Sequence, residues 1–271
     1  GAEKTVVTGV LGSWTSGLWP FLIAQKKGLF ARHGIKHDIV FVPTAPGLVQ
    51  QLTAGSIDMI ALNGLAEPLH AVEKGAPVAI MRIMGQTTNY VMIGGKSIKT
   101  LADLKGKKAR SFGADIPKAF TAIGAVPVTV PPVGVYEAIK TGNLDYSFIN
   151  PGNIQSLKLN EVAKNHCGPV MAISGHNITI SKRTWARLPA DFQKIIAEEA
   201  KATQRAYMNW VSDFESRALQ NIRSQGGNVL AIPAAELAKW RAAAPDFLAV
   251  WEKDTAAATG DAETPKKVAA R

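Results

Sequence analysis

Two asparagines mark places where this chain could meet a small molecule. The stretch Thr53-Ala-Gly-Ser-Ile-Asp-Met-Ile-Ala-Leu-Asn63 recurs without a gap as Lys140-Thr-Gly-Asn-Leu-Asp-Tyr-Ser-Phe-Ile-Asn150, keeping Gly, an aliphatic residue, Asp and the terminal Asn in register. In each copy an amphipathic run (Leu48 to Leu52; Val135 to Ile139) reaches a glycine, Gly55 or Gly142, suited to a left-handed helix end, and a short apolar strand follows. Open α/β sheets bind ligands beyond the carboxyl ends of their strands, so Asn63 and Asn150 would look into one cleft if the two halves face each other. An amide donates and accepts, which suits hydroxyl, keto or carboxylate oxygens. Asn150 stands before Pro151 and reads equally well as a turn residue. Asn153 is a further candidate nearby.

Other polar groups sit at loops that such a fold would bring to the same place. Ser13, Trp14 and Thr15 lie in the loop after the first apolar run, where hydroxyls and helix-start N–H groups can take an anion and an indole can stack on a ring. An ordinary helix cap accounts for them as well. Gln86, Thr87, Thr88 and Asn89 form a polar cluster suited either to ligand contact or to hinge duty.

The elements needed to position these groups follow from periodicity. Strands are expected over Thr5 to Leu11, Asp38 to Val42, Asp58 to Leu62 and Val78 to Ile83, with helices over Leu18 to Phe30, Pro46 to Ala54 and Leu65 to Lys74 between them. That order is βαβαβ, which predicts parallel strands with right-handed crossovers. From Tyr90 a second lobe is expected, with Tyr90 to Ile93 and Asn177 to Ile180 as the crossing segments. A helix-favouring run opens at Leu188-Pro189 and reaches about Ser224, where Gly226-Gly227 closes it. A short strand over Asn228 to Ile232 and helices over Pro233 to Ala244 and Ala244 to Thr255 complete the reading. The predicted fold class is α/β, two-lobed, with mostly parallel sheets flanked by helices and a long C-terminal helix. Lobe 1 is assigned residues 1–90 with bracing helices from 181–255, lobe 2 residues 91–180, and residues 256–271 a frayed tail.

Composition narrows the function. The 271 residues suffice for two cores, and 46% hydrophobic with 19% charged residues is ordinary globular chemistry. No apolar run approaches the ~20 residues that span a bilayer, and the chain starts at Gly1, so a removed export signal and a periplasmic location are expectations. The net charge of +10 is spread along the chain, densest at Lys105, Lys107, Lys108 and Arg110, without a nucleic-acid-binding motif. A diffuse field of this kind attracts small anions, and no nucleic-acid partner is expected. The single Cys167 forms no metal or redox pattern and reads as a small buried hydrophobe. Gly-x-Ser-x-Gly, His-Glu-x-x-His and Walker motifs are missing, so neither catalysis, metal nor cofactor is expected. An enzyme on the same fold would need an acid or base such as Glu67, His70 or Asp115 in the cleft.

Several segments carry a family resemblance. Leu101-Ala-Asp-Leu-Lys-Gly-Lys-Lys-Ala-Arg110, Gly124-Ala-Val-Pro-Val, Val135-Tyr-Glu-Ala-Ile-Lys-Thr-Gly142, Asn150-Pro, Ser174-Gly-His176 and Ile180-Ser-Lys-Arg-Thr-Trp185 with Leu188-Pro-Ala-Asp191 resemble the DctP-like solute-binding proteins of TRAP transporters over residues 98–255. Ser13-Trp, Pro20-Phe-Leu-Ile-Ala-Gln-Lys-Lys-Gly-Leu-Phe30, His33-Gly-Ile and Gly55-Ser-Ile-Asp58 resemble instead the ABC-type binding proteins for nitrate, sulfonates, taurine or thiamine precursors. The chain thus looks like a hybrid of two classes that share the periplasmic-binding-protein type II fold. The TRAP resemblance implies that Arg110 pairs bidentately with a substrate carboxylate, as a planar, always-charged fork can. It also assigns Asn150 to the ligand and His176 to a polar position on the returning strand, where a structural histidine is equally in keeping. Pro131-Pro132 stands where many relatives place an aromatic residue, and the second arginine many relatives supply is missing, which favours a monocarboxylate. The expected function is capture of a small organic anion between lobes by a monomer that delivers it to membrane permease subunits, TRAP-type first. An ABC-type protein for a sulfonate or pyrimidine-like ligand, a cleft enzyme and an extracytoplasmic sensor are the alternatives.

Overall fold

The repeated segment forms the same local device in both halves. In the computed structural model, which describes residues 4–12, 18–113, 115–168, 173–263 and 266, the chain begins β1 (Lys4–Leu11), α1 (Trp19–Lys26), β2 (Ile35–Val42), α2 (Ala45–Ala54), β3 (Met59–Asn63), α3 (Ala66–Glu73) and β4 (Val78–Asn89). Thr44 caps α2 by accepting from the Gly47 N–H, Leu48 and Leu52 bury on one face four residues apart, and Gly55 at φ +82° ends the helix. Asp58 then fixes the register of the next strand: its carboxylate accepts from Val7 N at 3.0 Å, and its own N–H donates to Val7 O at 2.9 Å.

The second half repeats the glycine and the aspartate grip, without the side-chain helix cap. It comprises β5 (Val91–Gly94), β6 (Lys108–Ser111), α4 (Asp115–Ala122), β7 (Val126–Thr129), α5 (Val135–Lys140), β8 (Tyr146–Ile149), α6 (Pro151–Ser156) and β9 (Asn165–Cys167). Gly142 at φ +74° follows α5, and the Asp145 carboxylate accepts from Lys108 N at 2.8 Å while its N–H donates to Lys108 O at 2.9 Å. The two repeat aspartates therefore lock β3 to β1 and β8 to β6, each pair parallel. Asn63 and Asn150 emerge at the carboxyl ends of the locked strands.

The chain then returns through β10 (Ile173–Ser181) and α7 (Lys182–Ala186) to α8 (Ala190–Ser224), β11 (Asn228–Leu230), α9 (Ala234–Ala243) and α10 (Phe247–Thr259). One sheet has the order β2-β1-β3-β10-β4 and the other β11-β9-β5-β8-β6-β7. The first is not the all-parallel sheet that βαβαβ suggested. β10 inserts antiparallel between β3 and β4, so the last strand of the N-terminal run pairs with the returning chain rather than with its predecessors. β4 also extends through the polar cluster to Asn89, because β10 supplies partners along its length.

Lobe membership needs a matching correction. All of β10 belongs to the first sheet, although residues to 180 were assigned to the second lobe. Conversely β11 pairs parallel with β9 in the second sheet, and the fully buried Trp240 of α9 lies in a second-lobe core with Met92, Phe120 and Phe148. Ile222, near the end of α8, belongs to the other second-lobe core, with Ile93, Ile149 and Ile154. The C-terminal elements thus brace lobe 2 as well as lobe 1, since the central strands of its sheet are apolar on both faces and each face needs a cover. Residues 256–259, expected to fray, continue α10. Cys167 is buried, its sulfur accepts from Ile98 N, and burial pushes its thiol up, as a packing role requires.

α8 is 35 residues long, about 52 Å at 1.5 Å per residue. Near its start it meets β4, where the Arg82 guanidinium donates to Ala197 O. Further on it packs against α6 so closely that a Cβ on Gly152 would meet the Phe214 ring at 2.6 Å. One rod thereby touches both sheets.

Three histidines, His37, His166 and His176, have their pKa values lowered, in each case chiefly by burial. His37 is stacked on Phe30 and takes Thr8 and Gln25 as ring-nitrogen partners. The folded protein resists protonating these groups, whereas the unfolded chain takes up protons near 6.5. Stability is therefore fully present above about pH 6.5 and falls as pH drops through that value, levelling only below the depressed folded values. The thermal midpoint should decrease between about pH 7.5 and about pH 5.5, ahead of carboxylate titration; a flat or rising midpoint contradicts this. Trp240→Ala should cost about 3–5 kcal/mol in urea unfolding, because a fully buried indole leaves a cavity.

Candidate functional site

The sheets meet at a cavity of about 220 Å³ between the carboxyl ends of β1 and β3 on one side and β6 and β8 on the other, with the middle of α8 as its third wall. Arg110 comes from β6, where the alternation of an interior strand places its side chain at the lobe interface; it is 5% exposed. Its Nε donates to Val130 O at 2.7 Å and its Nη1 to Phe148 O at 2.9 Å. Its guanidinium carbon lies 5.0 Å from the Phe112 ring centre. Among the described residues it has no ion-pair partner. Burial lowers its pKa to about 10, with Tyr90 acting in the opposite direction, so the group stays charged at neutral pH. A buried cation held by neutral carbonyls is compensated only in part, and an incoming carboxylate would complete it.

Asn63 lines the same cavity from the other lobe. It is 1% exposed, and its amide nitrogen has no hydrogen-bond partner among the described residues. Leu62 just before it adopts φ +61°, a left-handed conformation that costs a branched residue about 1–2 kcal/mol. The buried Asn177 holds that bend: its amide donates to Asn63 O and Gly64 O, each at 2.8 Å, while its oxygen accepts from Thr179 at 2.6 Å. Strain secured in this way fixes the backbone at Asn63.

The structure brings Asn63, Arg110, Asn150, Asn153 and His176 to one cavity. Asn150 is engaged within it, its amide donating to Glu215 Oε1 of α8 at 3.0 Å, so this asparagine also ties lobe 2 to the long helix. His176 on β10 is held neutral by burial and serves as a polar wall group, not a second cation. Pro132 lines the cavity too. Gln86 and Asn89 lie on β4, with the Asn89 backbone opposite Ile173; their side chains are outside the described set. Ser13, Trp14 and Thr15 lie outside the described residues altogether. Of the acid–base candidates, Glu67 lines the cavity, His70 is exposed on α3, and Asp115 pairs with Lys118 at 3.1 Å. No group of side chains that could hold a metal ion occurs among the described residues.

Sequence reasoning missed the third wall. Tyr207, Trp210, Val211 and Phe214 of α8 line the cavity at i, i+3, i+4 and i+7, a spacing that reads as core when the helix's neighbours are unknown. Trp210 and Phe214 stack at 5.0 Å with ring planes 8° apart, and Tyr207 follows at 5.9 Å from Trp210. The clustering of three aromatic residues within eight positions of an otherwise polar helix was the available signal.

Residues 76–254 match the model of the family described as Bacterial extracellular solute-binding protein, family 7. The C4-dicarboxylate-binding periplasmic protein DctP of Rhodobacter capsulatus is 31% identical over 141 residues, which are 51% of this chain and 42% of that protein. This chain therefore spans less than half the length of that relative. Among solved structures, an extracytoplasmic solute receptor of Bordetella pertussis binding pyroglutamic acid superposes with a TM-score of 0.80 at 15% identity, covering 99% of this chain and 100% of that one. A TRAP periplasmic solute-binding protein of Desulfovibrio salexigens with bound orotic acid gives 0.77 at 18% identity, covering 98% and 97%. At these identities the likeness establishes the two-lobed fold.

Asn177→Ala should lower stability by about 1–3 kcal/mol, because the buried Asn63 carbonyl and the part-buried Gly64 carbonyl lose their donor. Urea unfolding measures this, and a loss below about 0.5 kcal/mol would mean that the Leu62 bend is not held from β10.

Proposed function

The chain belongs to the bacterial extracellular solute-binding proteins of family 7, and from that premise we propose that it captures a small monocarboxylate between its lobes and hands it to a membrane transporter. The observation that carries this reading is Arg110, a buried guanidinium facing the interlobe cavity without a carboxylate partner among the described residues. A carboxylate entering there meets the remaining guanidinium nitrogen and, across the cleft, the Asn63 amide. Ligand contact to both lobes exists only when they are closed, so binding shifts the population toward the closed form.

The charge count of the cavity supports a single negative charge. Arg110 is the one lysine or arginine among the described lining residues, His176 is neutral, and Glu67 adds a negative group on the first-lobe side. A second carboxylate on the ligand would be desolvated without a cation and would meet Glu67. The solved neighbours holding pyroglutamic and orotic acids, each with one carboxylate, are in keeping with this.

Delivery to a TRAP-type permease from a periplasmic location is in keeping with the family; no helix among the described residues is long and apolar enough to cross a membrane. The protein retains its ligand without transforming it, acts without a cofactor, and works as a monomer that carries no nucleic acid. An ABC-type permease is the second reading. It rests on residues 1–75, which lie outside the family match and carry the other resemblance.

The test is a thermal-shift screen of monocarboxylates, dicarboxylates and sulfonates on the parent and on Arg110→Ala. A saturating ligand at about a hundredfold over its dissociation constant raises stability by about 2.7 kcal/mol. Removing the cation should cost about 2–5 kcal/mol of binding, a thirtyfold loss or more. Equal shifts in parent and variant would exclude Arg110 as the anchor.

A further inference from the structure

We infer that the carboxylate held by Arg110 is carried on a flat aromatic body, which makes the cognate ligand an aryl monocarboxylate rather than a hydroxylated sugar acid. This deepens the carboxylate reading above and rests on it. The observation is the distribution of chemistry around the cavity. The side chains of Asn63, Glu67, Arg110, Asn150, Asn153 and His176 share the lining with the rings of Tyr90, Phe112, Tyr207, Trp210 and Phe214.

Two ring assemblies face the cavity. Beside Arg110 the rings of Tyr90 and Phe112 line the cavity, their centres 5.7 Å apart, and the buried Phe148 stacks against them at 4.7 Å and 5.9 Å. The α8 wall is the near-parallel pair Trp210 and Phe214 with Tyr207 beside it. Both assemblies are packed against further rings, Phe120 meeting Phe148 edge-on and the Trp19 ring lying edge-on 5.8 Å from Phe214. Braced rings offer fixed faces, and a flat ligand ring gains offset or edge contacts on such faces without ordering new side chains.

A sugar acid would fare differently. Each of its hydroxyls loses hydration on entry and needs a donor or acceptor in return. Asn150 already donates to Glu215, and two of the three Arg110 nitrogens already donate to carbonyls. Asn63, Glu67, Asn153 and His176 are the other polar side chains of the lining, and the α8 wall offers rings, Val211 and a lone phenol. At about 220 Å³ the cavity is also below the ~300 Å³ at which sites for drug-sized ligands begin, which suits one ring and a short acid arm.

The experiment is calorimetric titration of the full chain with phenylacetate and with D-glucuronate, repeated on Arg110→Lys and Trp210→Leu. Phenylacetate is expected to bind at least tenfold more tightly than D-glucuronate. Its affinity should fall at least tenfold in each variant. Tighter, Arg110-dependent binding of D-glucuronate would overturn the aryl assignment and leave the carboxylate reading standing. Binding of neither acid in the millimolar range, while sulfonates bind, would overturn both. Should Trp210→Leu fail to fold by circular dichroism, displacement between the two acids on the unaltered protein decides the matter by the same tenfold criterion.

Discussion

A positive charge kept out of water, with no negative partner among the described residues, organises the centre of this molecule. The Arg110 guanidinium is nearly inaccessible and is attended by the carbonyls of Val130 and Phe148 and the face of Phe112. Such an arrangement costs folding free energy compared with an apolar side chain of similar size. It is tolerable because the surrounding sheet is over-determined: β8 sits between β5 and β6, and apolar cores close both of its faces. The same low-polarity surroundings that make the charge costly also strengthen its attraction for an incoming anion.

The repeated segment supplies the symmetry that the site needs. In each lobe an aspartate at the strand's start grips the backbone of the neighbouring parallel strand, and five residues later the strand ends in asparagine. The fates of the two asparagines then diverge. Asn150 is tied to Glu215 and links its lobe to α8, whereas the Asn63 amide nitrogen, beside a strained Leu62, has no partner among the described residues. One copy serves the framework and the other does not.

Much of this was legible beforehand because it is local. The repeat, its glycine helix ends, the strands they lead into and the length of the C-terminal helix all follow from spacing within some thirty residues. What depended on long-range pairing was not legible. Nothing in Ile173–Ser181 announces that it will slip between β3 and β4, nor in Asn228–Leu230 that it will join the second sheet, because an antiparallel or an edge partner is chosen by tertiary packing. The aromatic face of α8 was hidden for a related reason: an apolar stripe shows that a helix is covered, not whether protein or ligand covers it. Arg110 stood out only through family resemblance, since beside three lysines its sequence context is that of a solvated surface.

The length of α8 has a mechanical corollary. A continuous helix that is seated on β4 at one end, packed on α6 further along and anchored at Ile222 in the opposite core behaves as a stiff spindle. Sliding or pulling the halves apart would break hydrogen bonds along it, whereas rotation about its length would disturb mainly the side chains of its middle turns. Those turns carry Tyr207, Trp210 and Phe214. The angular freedom of the molecule and the chemical selectivity of its cleft are thereby vested in the same few turns of helix, so a substitution that alters one will be felt in the other.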